Sequence, residues 1–166
     1  MIPIVSIVGK SNSGKTTLIE RLIPELTGRG YRVATIKHNM HGFQIDHEGK
    51  DSWRHKQAGA QITVIASPHQ VAVIEDVKRD YELAELRDLY IKDVDVVISE
   101  GFKKNPHPKI EVYRTAVRQQ MICGPQDNLV AVAGDAPADP SIPHFPMDNI
   151  KGLADFIETL FLKNAD

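Results

Sequence analysis

The chain carries one cysteine in 166 residues, Cys123, so no internal disulfide can staple it, and such sparing use fits a reducing compartment. In the run Gln120-Met121-Ile122-Cys123 that thiol reads as a small apolar residue rather than a nucleophile. No apolar stretch approaches the ~20 residues that span a bilayer. The N-terminal apolar run is too short for a secretory segment and already supplies a strand, so a cytoplasmic protein is expected. Charge of one sign is missing as well. A formal net charge of −2 argues against a general nucleic-acid or membrane-surface binder, and any anion affinity must be local. Internal repeats and low-complexity segments are absent. So is N-K-x-D, the usual guanine-reading motif of regulatory GTPases. His38, His41 and His47 have no accompanying cysteine and no H-x-x-x-H spacing, so they do not read as a structural zinc site.

What is present is an alternation of β-branched runs and helical patterns. Strands are expected at Ile2–Val8, Tyr31–Ile36, Gln61–Ala66, Gln70–Ile74, Val94–Ser99, Lys109–Tyr113 and Leu129–Ala133. Helices are expected at Thr16–Thr27, Ser52–Ala58, Glu82–Tyr90 and Asn149–Leu162, the last with Asp148 as its N-cap. Gly28-Arg29-Gly30 ends the first helix, and Pro24 inside it should cost a hydrogen bond to Glu20 and bring a kink or an early end. Strands separated by helices predict an α/β fold: a mostly parallel twisted sheet with helices on both faces. Gln61–Ala66 and Gln70–Ile74, joined by Ser67-Pro68-His69, predict an antiparallel hairpin at one edge. The length fits a single domain over residues 1–166, and Pro137–Pro146 reads as an irregular surface loop.

Directly behind the first strand, Gly9-Lys10-Ser11-Asn12-Ser13-Gly14-Lys15-Thr16 spells G-x-x-x-x-G-K-[ST], followed at once by an amphipathic helix. Strand, glycine-rich turn and helix in that order make a phosphate-binding loop. Two glycines let successive N–H groups point inward around an anion, and the helix N-terminus adds unpaired donors and its positive dipole end. Lys15 can reach the β- and γ-phosphates, and the Thr16 hydroxyl can bind Mg²⁺. This is a P-loop nucleotide-binding fold.

In an open α/β sheet ligands bind beyond the carboxyl ends of the strands, so the residues that follow each strand matter most. Val94–Ser99 ends in Glu100, an acid placed to hold Mg²⁺ or orient an attacking water; Asp95 lies mid-strand and is the poorer candidate. Asp46 and Asp51 lie in the long connection after the second strand, where either could complete the Mg²⁺ shell, although Asp51 could equally cap the helix near Ser52. Lys37, His38 and His41 suit an anionic ligand or partner. Lys103 and Lys104 with His107 do likewise, or form a solvated basic loop. Asp135, after Leu129–Ala133, could accept hydrogen bonds from guanine N1–H and N2–H₂, or serve as an ordinary turn residue.

Taken together, these residues resemble the molybdopterin-guanine dinucleotide biosynthesis adaptor family. The resemblance runs nearly end to end, through Gly9–Thr17, Thr35-Ile36-Lys37-His38 with His41, Gly49-Lys50-Asp51-Ser52, Ala58-Gly59-Ala60, Glu100-Gly101-Phe102-Lys103 and Gly152-Leu153-Ala154-Asp155-Phe156. It implies GTP binding with Mg²⁺, weak GTPase activity and homodimerisation. It also implies partnership with the molybdenum cofactor guanylyltransferase that joins GMP to a molybdopterin-type cofactor. Phosphate-loop roles carry onto Gly14, Lys15, Thr16 and Thr17, and the acidic strand-end role onto Glu100. Lys10 stands where a dimerising class of P-loop proteins has a lysine that acts on the partner's nucleotide, but Ser11 and Asn12 replace that class's glycines. A P-loop small-molecule kinase, with substrate around Lys37, His38 and Lys103, is the enzymatic alternative. A molybdopterin-carrying binding module is the other.

Overall fold

The computed structural model describes residues 1–39, 42–137 and 139–163. Its contacts gather into two compact units, one of Met1–His38 with Glu82–Asp166 and one of Asn39–Tyr81. Among the described residues no helix is long and apolar enough to cross a membrane.

The larger unit is built on a six-stranded sheet. Its strands are β1 (Ile4–Val8), β2 (Val33–Lys37), β5 (Val96–Glu100), β6 (Lys109–Tyr113), β7 (Leu129–Gly134) and β8 (His144–Phe145), in the order β2-β5-β1-β6-β7-β8 with every pairing parallel. Strand alternation divides the apolar residues between two faces. Val5, Ile7, Val96, Ile98, Ile110 and Val112 meet helices α1 (Lys15–Gly28) and α4 (Ile150–Ile157) on one face. Ile4 and Val97 meet Leu83 of α3 (Leu83–Tyr90) on the other. Leu18, Ile19, Leu22 and Leu26 are the buried stripe of α1. Arg29, just past its end, ties the two helices of that face together by ion pairs to Glu25, Asp155 and Glu158.

Several expectations need correction. Helix α1 does not end early at Pro24 but continues through it to Gly28. Pro24 and Glu20 are both exposed, so the carbonyl that loses its partner lies on the wet side of the helix, while Leu22 and Leu26 anchor the buried side. The helix closes on left-handed Gly30, with Gly30 N donating to Thr27 O and Tyr31 N to Leu26 O. Asn149, not Asp148, caps α4: its Oδ1 accepts from Gly152 N at 3.1 Å. That helix then widens into a π-helical turn over Glu158–Leu162. The Pro137–Pro146 stretch contains the two-residue strand β8, which has no period to reveal it and lies between Pro143 and Pro146.

The smaller unit holds α2 (Asp51–Gln57) packed on β3 (Ile62–Ala66), which pairs antiparallel with β4 (Val71–Glu75). The expected hairpin is therefore present, as a two-stranded sheet of its own rather than an edge of the large one. Asp51 is the first helical residue of α2 and does not cap it; Lys50 precedes it without a side-chain cap. Ile62, Val64 and Ala66 share one face with Val71, Val73 and Glu75. That face is apolar yet open, with Val64 58% and Val71 69% exposed.

Candidate functional site

The carboxyl ends of β2, β5 and β1 set three segments side by side, because the parallel register aligns Lys37 with Glu100 and Glu100 with Ile7. Gly9 opens the loop after β1 with φ 148°, and a Cβ there would sit 2.6 Å from Val112 O of β6, so only glycine lets the turn lie that close to the sheet. Asn12 (φ 63°) and Gly14 (φ 100°) complete the curl, and α1 starts at Lys15 with no side-chain cap on its first amides. Uncapped helix N–H groups behind a curled loop form a ready anion cradle.

Lys15 Nζ lies over that loop, donating to Lys10 O at 3.0 Å and Gly9 O at 3.3 Å. Burial holds its pKa below the ordinary lysine value; Glu100 pulls it back up, while the Lys103 and Lys37 charges push it further down. Three ammonium groups thus share the neighbourhood of one carboxylate, an excess of positive charge suited to a polyphosphate. Thr16 Oγ1 donates to Glu100 Oε1 at 3.0 Å, and Lys37 Nζ stands 3.6 Å from Glu100 Oε2. A threonine hydroxyl converging with a strand-end carboxylate offers two hard oxygen ligands. That suits Mg²⁺, which takes few protein ligands and completes its shell with water and phosphate oxygens. No cluster of three or more His, Cys, Asp or Glu able to hold a metal occurs among the described residues.

The remaining candidates scatter. The His38 ring packs against Phe102, centroids 4.5 Å apart and tilted by 36°, and the backbone N–H of His38 donates to Glu100 O. Gly101 permits this approach, since a Cβ there would meet His38 O at 2.8 Å. Ser11, Asn12 and Lys10 are exposed on the loop, Ser13 is buried within it, and Thr17 is exposed on the first turn of α1. Asp135 does follow β7, but its Oδ2 accepts from Thr115 N (2.7 Å) and Thr115 Oγ1 (2.6 Å), and those bonds lower its pKa. Asp95 serves structure at the opposite end of the sheet, clamped to Arg32. Asp46 belongs to the smaller unit, where its Oδ1 accepts from His47 N at 2.9 Å. His41 lies outside the described residues.

Sequence reasoning missed a polar layer beneath the site. Ser99 Oγ donates to Ser6 Oγ at 2.9 Å, and Asn105 Nδ2 reaches the same hydroxyl at 3.1 Å, pinning the 102–108 segment to β1 and β5 just below Glu100. Lys109, 1% exposed, donates to the carbonyls of Asn105, His107 and Asp127. Glu111, 2% exposed, accepts from Ile122 N and Cys123 N at 2.8 and 2.9 Å. The available signal was Lys-Ile-Glu-Val-Tyr itself: two charges inside a strand central enough to be buried throughout.

A family described as molybdopterin guanine dinucleotide synthesis protein B matches residues 4–135. The chain is 39% identical over 160 residues to the molybdopterin-guanine dinucleotide biosynthesis adapter protein of Haemophilus influenzae, covering 95% of this chain and 88% of that protein. It is 33% identical to the protein of the same description from Escherichia coli, covering 95% and 92%. Among solved structures it is similar to a molybdopterin-guanine biosynthesis protein B at TM-score 0.76 and 37% identity, covering 95% of this chain and 98% of that one. Bacillus subtilis MobB gives TM-score 0.76 at 29% identity, covering 98% and 99%.

Proposed function

The chain belongs to the molybdopterin guanine dinucleotide synthesis protein B family, and from that premise we propose that it is a GTP-binding accessory protein in the assembly of that dinucleotide. In this reading it serves, as its relatives' names state of them, as an adapter. The observation that carries the reading is the 3.0 Å approach of Thr16 Oγ1 to Glu100 Oε1, beside Lys15 and an uncapped helix N-terminus.

Each group then has a task. Backbone amides of 9–16 cradle the β- and γ-phosphates. Lys15 leaves its loop carbonyls for the phosphate oxygens, where its charge opposes theirs. Thr16 and Glu100 would hold Mg²⁺, which would supply charge neutralisation to the phosphates. Lys37 and Lys103 add field without occupying the metal's ligand positions. Hydrolysis is slow, since the cations near Glu100 are lysines rather than an arginine fork that spreads over a transferring phosphoryl group. The partner is the guanylyltransferase that joins GMP to molybdopterin, and the open apolar face of β3 and β4 is where two copies of the chain meet.

Titration calorimetry of GTP against ATP, with and without Mg²⁺, tests this. GTP uptake that needs Mg²⁺ and falls at least about 100-fold in Lys15→Ala is expected, the loss of charge-assisted bonds to two phosphates. Equal affinity in Lys15→Ala overturns the reading. Transfer of labelled phosphate to a metabolite rather than to water replaces it with the kinase.

A further inference from the structure

Within the smaller unit a cavity of about 130 Å³ opens between α2, β4 and the 43–46 segment. Trp53 and Phe43 give it aromatic walls, Ile45 and Ile74 apolar ones, and Asp46 and Gln57 polar groups. Phe43 and Ile45 stay 73% and 67% exposed, an apolar rim facing water. Asp46 Oδ2 is shielded from solvent and has no hydrogen-bond partner. Lys56, which also lines the cavity, cannot supply one: its ammonium donates to Ala60 O, Gln61 O and Asp76 Oδ2, so all three donors are spent. A shielded acceptor without a donor is costly to keep, and a ligand that brings the donor recovers that cost.

We propose that this cavity binds a flat heterocycle carrying the 2-amino-4-oxopyrimidine edge, with its ring against Trp53 and its adjacent ring N–H and exocyclic amine donating to Asp46. Two vicinal N–H donors match a carboxylate in the bidentate manner. The Gln57 amide can donate to the ring oxygen, a contact that a quaternary ammonium held only against the Trp53 ring would leave unused. Stacking on an aromatic wall is the common way for proteins to hold an isolated base. The volume suits one ring system rather than a whole nucleotide. Guanine and pterin share this edge, and the name of the family's product contains both. The inference stands apart from the phosphate loop, because every lining residue lies in the smaller unit.

Trp53 is the chain's sole tryptophan, so its fluorescence reports this cavity alone. Guanosine, inosine and adenosine are titrated by Trp53 quenching, and 6-hydroxymethylpterin by calorimetry. Saturable binding of guanosine or the pterin is expected, with inosine at least about tenfold weaker for want of the 2-amino group and adenosine inert because N1 there is an acceptor. Asp46→Asn should lose about 10- to 100-fold, and Lys15→Ala nothing, which separates this site from the phosphate loop. The tighter of guanosine and pterin identifies the source. No saturable binding, equal binding of inosine and adenosine, an undiminished Asp46→Asn, or a response to tetramethylammonium alone overturns the proposal. Should Asp46→Asn fail to fold, the guanosine-to-inosine ratio in the unaltered chain decides.

Discussion

Two carboxylates with solvent-shielded oxygens live under opposite rules in this chain. Glu111 sits in β6 of the larger unit with both oxygens supplied by backbone N–H groups of Ile122 and Cys123. Asp46, in the smaller unit, has one oxygen with a donor and one with none. The same contrast holds for apolar surface. The central strands β1, β5 and β6 of the larger unit are buried on both faces, whereas the β3–β4 pair leaves Ile62, Val64, Val71 and Val73 open. A region whose polar and apolar requirements are met internally is a scaffold; one that leaves both unmet is waiting on something outside itself. Glu111 belongs to the first and the proposed heterocycle cavity to the second; the loop after β1, with its uncapped α1 amides and the buried Ser13 hydroxyl without a partner, is the larger unit's exception.

The contrast breaks most sharply in stability. Leu22 is fully buried between α1 and the sheet, so Leu22→Ala should cost about 2–5 kcal/mol, a drop of roughly 5–15 °C in melting temperature for a chain of this length. Val64→Ala, which removes two carbons from the open face where Leu22→Ala removes three from the core, should stay within about 0.5 kcal/mol in dilute monomer while weakening self-association in sedimentation. If Val64→Ala costs as much as Leu22→Ala in the monomer, the hairpin face is not free. Chemical reactivity gives the next largest effect. Burial, with Glu111 and Asp127 adding to it, pushes the Cys123 thiol from 9.0 up to about 11. At neutral pH the folded chain should therefore react with an aromatic disulfide at least about tenfold more slowly than the unfolded chain, the smaller thiolate fraction being partly offset by the greater nucleophilicity of a higher-pKa thiolate, and equal rates would show that the 120–124 segment is open.

A smaller effect tests the Thr16–Glu100 pairing and the metal role proposed for it. Thr16→Ala removes the hydroxyl that meets Glu100 but leaves the loop amides and Lys15 in place. Affinity for GTP in Mg²⁺ should fall about tenfold, with little change when Mg²⁺ is chelated. A loss of the same size in both conditions would assign Thr16 to the loop's shape rather than to the ion.

How much of this was readable in advance follows from the range of each interaction. The phosphate loop is local, its glycines and lysine fixed within eight residues, and Glu100 needed only the rule that ligands gather at strand ends. The partners of Lys109 and Glu111 are backbone groups brought in by the fold from as far as Asp127, and no spacing encodes them. Asp135 was a matter of orientation: the strand end was foreseen, the Thr115 hydroxyl that takes up Oδ2 was not. Val64 and Val73 alternate as core residues do yet stay exposed, because period-2 alternation shows that residues share a face and not whether that face is covered.

The least disruptive probe returns to the two carboxylates. Burial raises the pKa of Glu111, and the N–H groups of Ile122 and Cys123 only partly offset it. A carboxyl whose folded pKa exceeds its unfolded one binds its proton more tightly when folded. It therefore favours the fold fully below the unfolded pKa and loses that contribution as pH rises through the folded one. Glu111→Gln keeps an acceptor for both N–H groups and has no proton to lose. Its melting temperature relative to the unaltered chain should therefore climb between pH 4.5 and pH 7. Asp46→Asn is read by ligand instead: when guanosine or pterin is added, the unaltered chain alone should gain in melting temperature. A Glu111→Gln difference that is flat with pH would mean that the two N–H donors, rather than the burial, govern that carboxylate, and the larger unit would then hold its buried charge at no cost at all.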